Sequence, residues 1–240
     1  MHVDALAVKM RPRSGSEACD LGVRLCQHAA RSVFSCYAIV ALPVISIALA
    51  SAEIAIWLPF LAIWLSKAWL DRTILFVLSR AAFGQETRPA DLWRSRRAVW
   101  GEQFLFTWIV RRYSPCRSYT QPIYQLEGVS PWKARARVRQ ICRRGKGSAF
   151  LMTQVFALSE LSLTFGLLSL AFWFAPPGQS PELIDPSSPT LWLAIAIAYA
   201  ITVFFLEPFY VAAGFAMYLN RRAELEAWDI EQEFRRAFAH

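Results

Sequence analysis

The stretch from Leu191 to Leu219, LWLAIAIAYAITVFFLEPFYVAAGFAMYL, carries one charged residue, Glu207. A helix rising about 1.5 Å per residue crosses the roughly 30 Å hydrocarbon core of a bilayer in about 20 residues. The stretch is long enough to span and emerge, and it stops at the polar, basic Asn220-Arg221-Arg222. A chain built around such a segment belongs in a membrane. The rest agrees: 55% of its 240 residues are hydrophobic, with 10 Trp and 17 Phe, too apolar for an ordinary soluble domain.

Three further crossings are expected. Residues 33–50 are uncharged and contain Pro43, residues 54–70 return after the short turn Ser51-Ala52-Glu53, and residues 148–174 contain Glu160. Residues 191–219 complete an all-α integral membrane bundle of about four transmembrane helices. In the second crossing Lys67, followed by Arg72, is expected to snorkel toward headgroups. Thr73 to Phe83 reads as a separate short apolar element. The Ala48-Leu49-Ala50 triplet resembles a signal-peptidase site, but it follows too long a lead, so the first crossing is read as uncleaved.

Two amphipathic interfacial helices flank these spans. Within residues 1–32, Ser14 and Glu17 fit a capping box, and Ala18, Leu21, Leu25 and Ala29 recur at helical spacing. Within residues 220–240, Leu225, Ile230, Phe234 and Phe238 mark an apolar stripe. Between the second and third crossings lies an Arg-rich section, residues 71–147. Ala90 to Trp100 reads there as a basic helix, and Phe104 to Val110 is too short to span. Arg111 to Gly128, with Pro115 and Pro122, reads as a loop with short strands.

Charge sets the orientation. The chain has a net charge of +8 and 26 basic residues. With both termini inside, every one falls on the inner side or at the inner interface. The outer turn and the Pro-rich loop from Ala175 to Pro189 hold none. This is the positive-inside pattern of a multi-pass membrane protein. Arg135, Arg137, Arg139, Arg143 and Arg144 stand next to the third crossing, suited to anionic lipid headgroups. The Arg, Trp and Tyr of this section resemble a single-strand nucleic-acid surface only in composition. Their place beside two spans favours lipids and other membrane proteins as partners, not nucleic acid.

Two carboxylates fall inside apolar runs, Glu160 and Glu207, at similar depth from the inner ends of their spans. A charged carboxylate in hydrocarbon is costly and must be protonated, paired or wet. They are the candidate intramembrane site, together with Pro208, which removes one helical hydrogen bond. Two readings stay open. One is a proton or cation site shared by the last two spans. The other is a structural ion pair, for instance Glu207 with Arg72 or Arg80. Below Pro208, Tyr210 and Tyr218 suit a membrane interface, and Gly214 with Ala213 and Ala216 offers a close-packing face.

No P-loop, GxGxxG, HExxH or GxSxG motif is present. The five Cys form no CxxC pair and stand apart from the three His, so they read as reduced thiols without a metal site. Neither a cofactor nor a catalytic set is expected; a membrane enzyme would need a pocket around Arg111 to Glu127.

The run EPFYVAAGFAMYLNRRAELEAWDIEQEFRR, Glu207 to Arg236, resembles the end of a family of uncharacterised bacterial inner-membrane proteins; Arg11 to Leu25 fits the same family. More distantly, the Pro-containing last span, Tyr218, Arg221-Arg222, Glu226 and Asp229-Ile230-Glu231 are similar to the membrane domain attached to some glycerophosphodiester phosphodiesterases. The resemblance implies several helices and an envelope location, and no hydrolase activity, since no phosphodiesterase catalytic domain is present. The expectation is a scaffold or subunit of an envelope membrane complex; the alternative is a proton-coupled small-solute carrier using Glu160 and Glu207.

Overall fold

The computed structural model describes residues 13–101, 114, 116–128, 131–174, 185 and 188–226. Phe104–Val110, the interior of the Pro-rich loop and the end of the chain beyond Glu226 lie outside them. Among the described residues every regular element is a helix. The helices are α1 (Gly15–His28), α2 (Ala30–Ala50), α3 (Leu58–Ala81), α4 (Pro89–Arg94), α5 (Arg117–Leu126), α6 (Pro131–Trp173) and α7 (Pro189–Glu226). Three segments are long and apolar enough to cross a membrane: Ala30–Glu53, Gly145–Leu170 and Pro189–Leu225. Over the described residues the protein is thus all-helical, with three candidate membrane spans.

The capping box starts α1. Ser14 Oγ accepts from the Glu17 amide, and the Glu17 carboxylate accepts from the Ser14 amide. The buried face of α1 is Ala18, Gly22 and Cys26, a stripe of small side chains one position off the expected one. It lies against α7 and not on a lipid surface. The approach is close because Gly22 has no Cβ: a Cβ there would stand 2.3 Å from the Ala212 carbonyl oxygen. The small-residue face around Gly214 is consumed within the chain too, since a Cβ on Gly214 would meet the Ser118 side chain of α5. The seam is closed at its end by Asn220. Its side chain accepts from the Arg13 amide and donates to the Arg13 carbonyl, both at 2.9 Å.

α7 is the axis, with α1, α6, α5 and α3 packed along it. Pro208 sits inside the helix without ending it. From Tyr210 to Tyr218 every residue is buried. Tyr210 and Tyr218 therefore face protein, not headgroups. Below them the helix continues through the expected stop at Asn220 to Glu226.

α3 departs most from expectation. It is one helix through Thr73 to Ala81, not a crossing ending at residue 70 plus a separate element. Lys67 and Arg72 do not snorkel; both are buried, as is Asp71 between them. Arg72 Nε donates to the Val99 carbonyl at 2.5 Å, and Trp100 Nε1 donates to Thr73 Oγ1 at 3.1 Å. These bonds hold the segment after α4 against α3. That segment, expected as one basic helix, is instead a short helix followed by a wide π turn over Arg97–Gly101. Over Arg117–Leu126 the expected loop with strands is instead α5, which accommodates Pro122 in its interior; residues 111–113 and 115 of that stretch lie outside the described residues.

Exposed apolar side chains such as Ile39, Ile47, Leu151, Val155 and Leu158 cover the outside of α2 and α6. Trp57 and Trp173 project, strongly exposed, from the start of α3 and the end of α6. Trp192 lies against Phe60 at the start of α7, with ring centroids 6.2 Å apart. Tryptophans gathered at helix ends suit the bilayer interface.

The five cysteines are free. Burial, aided at Cys19 by the neighbouring Asp20, pushes the Cys19 thiol up to about 11, and burial alone pushes Cys26 up to about 12. The thiolate is the reactive form. Maleimide labelling of these two sites in the folded protein should be far slower than that of a free thiol at neutral pH. It should accelerate with rising pH and complete at once in denaturing detergent. Fast labelling of Cys26 in the folded protein would contradict the α1–α7 seam.

A buried ion cluster at the floor of a cavity

Glu160 and Glu207 come together on a cation from a third helix. Lys67 Nζ lies 2.7 Å from Glu160 Oε2 and 2.9 Å from Glu207 Oε2. Arg117, the first residue of α5, contacts Glu207 on its far side and Asp71 at 2.7 Å. Five charged side chains from α3, α5, α6 and α7 thus form one chain of contacts: Glu160, Lys67, Glu207, Arg117 and Asp71. The side chains of Glu207 and Asp71 are 3% and 0% exposed, and that of Glu160 is 21% exposed. The pairing with Arg72 or Arg80 is not the one formed.

Each member is placed by local structure. Lys67 and Asp71 are four residues apart, so they stack on one face of α3. Glu207 immediately precedes Pro208. With no N–H, Pro208 leaves the Phe204 carbonyl without its helical donor. Arg117 is steadied by the ring of Tyr210, 5.5 Å from its guanidinium carbon. Above the cluster, Tyr37 of α2 stacks on Phe204 with centroids 5.4 Å apart. Among the described residues its buried hydroxyl has no hydrogen-bond partner.

The cluster forms the floor of a cavity of about 530 Å³ between α3, α6 and α7. Lys67, Arg117, Glu160 and Glu207 line its polar end; Phe60, Trp64, Phe156, Phe165, Tyr199 and Tyr210 supply aromatic walls. This size suits a small-molecule site, and a largely apolar wall with few convergent polar groups is the usual composition of one. Among the described residues no set of His, Cys, Asp and Glu gathers in a way that would hold a metal ion.

A second polar network sits between the end of α5, the first turns of α6 and the last turns of α7. Glu127 accepts from the Tyr218 hydroxyl at 2.7 Å and pairs with Arg137 at 3.1 Å, joining α5, α6 and α7. Arg137 is therefore engaged within the protein. Arg135, Arg139 and Arg143 are exposed along the inner part of α6, which is continuous with the span; the Arg144 side chain lies outside the described residues.

Arg117 and Asp71 were not legible as site residues. Arg117 stands 90 residues from its partner Glu207 in a Pro-flanked polar stretch. The available signal was Lys67 and Asp71 at helical spacing on an otherwise apolar segment, which marks an inward-facing polar stripe.

No family model matches the chain, and no curated protein and no solved structure matches it. The family resemblance rests on the residues quoted above, and the functional reading rests on the site.

Proposed function

We propose that this is a four-span inner-membrane protein that carries a small solute in exchange for, or together with, a proton at the Glu160–Lys67–Glu207–Arg117–Asp71 cluster. The observation that carries the reading is a five-member charged cluster opening into a cavity among apolar helices. Ionisable groups inside a membrane are costly and are usually kept for function. α3 is the fourth crossing in this reading, a central helix whose charges and most of whose apolar residues, among them Ile63, Leu70, Ile74 and Leu75, are enclosed by its neighbours. Both termini lie in the cytoplasm, and Arg135, Arg139 and Arg143 meet anionic headgroups of the inner leaflet.

The test uses the purified protein in liposomes loaded with a pH-sensitive dye. Organic cations, amino acids and organic anions are added one class at a time. At least one class should drive a proton flux that Glu160→Gln abolishes while the variant keeps the wild-type elution profile and melting temperature. If every class fails, and the cluster variants lose only folding or recovery with partner proteins, the cluster is structural. The chain then fits the expected role of a subunit in an envelope assembly.

A further inference from the structure

The charge count of the cluster points to the kind of solute. Two cations, Lys67 and Arg117, face three carboxylates, Asp71, Glu160 and Glu207. Among the described residues, two positive and three negative charges leave one negative charge over. An uncompensated charge away from water is strongly unfavourable, so the site takes up one proton or one further cation.

Glu160 is the member that a cation in the cavity can reach. It is the most exposed of the three carboxylates and lines the cavity, whereas Asp71 is fully enclosed and Glu207 nearly so. When Glu160 is neutral, Lys67 keeps Glu207, and Arg117 keeps Asp71 and Glu207, so no cation is stranded. The groups facing Glu160 are Lys67 and Asp71 from α3, Arg117 from α5, Tyr199, Glu207 and Tyr210 from α7, and Tyr37 from α2. Above Glu160 the walls are aromatic. Ring faces attract cations that have little hydration shell to lose.

We propose that the cavity takes a lipophilic monovalent organic cation in exchange for one proton held by the carboxylate cluster. The proton leaves the cluster for water, and the cation seats beside Glu160 between Trp64, Phe156 and Tyr199. One positive charge replaces another, so the cluster stays neutral in both states. This deepens the carrier reading and rests on it.

Calorimetry on the purified wild-type protein in neutral detergent tests the proposal. The probe is tetraphenylphosphonium, and tetraphenylborate is the control of equal shape and opposite sign. Tetraphenylphosphonium should bind with release of one proton, measured by comparing buffers of different ionisation enthalpy. Its affinity should fall as the pH is lowered. Glu160→Gln should abolish the proton release, Glu160→Asp should restore it, and Trp64→Ala should weaken binding without changing the proton count. Binding without proton release, pH-independent binding, a preference for tetraphenylborate, or no binding at millimolar probe would each overturn the proposal. The two readings fail separately. Proton-linked tetraphenylphosphonium binding without flux in liposomes removes the carrier reading alone, and proton flux driven only by anions or amino acids removes the organic cation alone.

Discussion

Arg117→Met should be the most damaging single substitution in this protein. It removes the cation between Glu207 and Asp71 and leaves two carboxylates enclosed with only Lys67 to offset them. Breaking a buried pair by removing one partner costs about 3–5 kcal/mol. A typical protein has about 5–15 kcal/mol in total, so the loss is a large fraction of what holds the bundle together. The expected result is aggregation on size-exclusion chromatography, or a sharply lower melting temperature in detergent. Removing a carboxylate as well should recover part of the loss, so Arg117→Met with Asp71→Leu should be more stable than Arg117→Met alone. If the single variant melts like wild type, the contacts of Arg117 do not hold α5 to α3 and α7.

Gly22→Leu should have the second largest effect, by a different mechanism. A side chain at this position points into the backbone of Ala212 and Ala213, with even its first carbon 2.3 Å from a carbonyl oxygen. Backbone cannot swing aside as a side chain can. Overpacking a tight contact costs about 1–3 kcal/mol when neighbours can adjust, and more when they cannot. α1 should therefore lift from α7. Cys19 and Cys26 should change from protected to rapidly labelled thiols while α2, α6 and the rest of α7 keep their helical content. Unchanged labelling would mean that α1 is not seated on Ala212 and Ala213 in the protein.

The two experiments probe features of unequal visibility in the sequence. The apolar runs that become α2, the outer part of α6 and α7 could be read directly, because length and absence of charge are properties of a segment by itself. So could the start of α1, whose cap is made by two residues three positions apart. That Glu160 and Glu207 stand at one level was also legible, since they lie at similar distances along their helices, and both meet Lys67. Their partners were not. Lys67 sits near a helix end on a linear reading, where snorkelling is the ordinary outcome; folded, it points at α6 and α7. Arg117 belongs to a stretch whose two prolines argue against helix, and only packing on α7 makes it one. Tyr210 and Tyr218 were misread for a related reason. Amphipathic aromatic rings suit headgroups and buried hydroxyl contacts equally, and the choice depends on α1 and α5, which cover that part of α7.

The single unbroken helix α6, 43 residues from Pro131 to Trp173, bears on how the cavity responds to force. Its inner portion is gripped by Glu127 through Arg137 and by the buried side chains Ala134, Ile141, Ala149 and Met152. Of its membrane-crossing part only 6% is buried. Mechanically this is a beam clamped low and pinned once more along its length, where Lys67 holds Glu160. Deflection of such a beam grows beyond its last support, so the wall carrying Phe165 is the compliant side of the chamber and the α3–α7 side the stiff one.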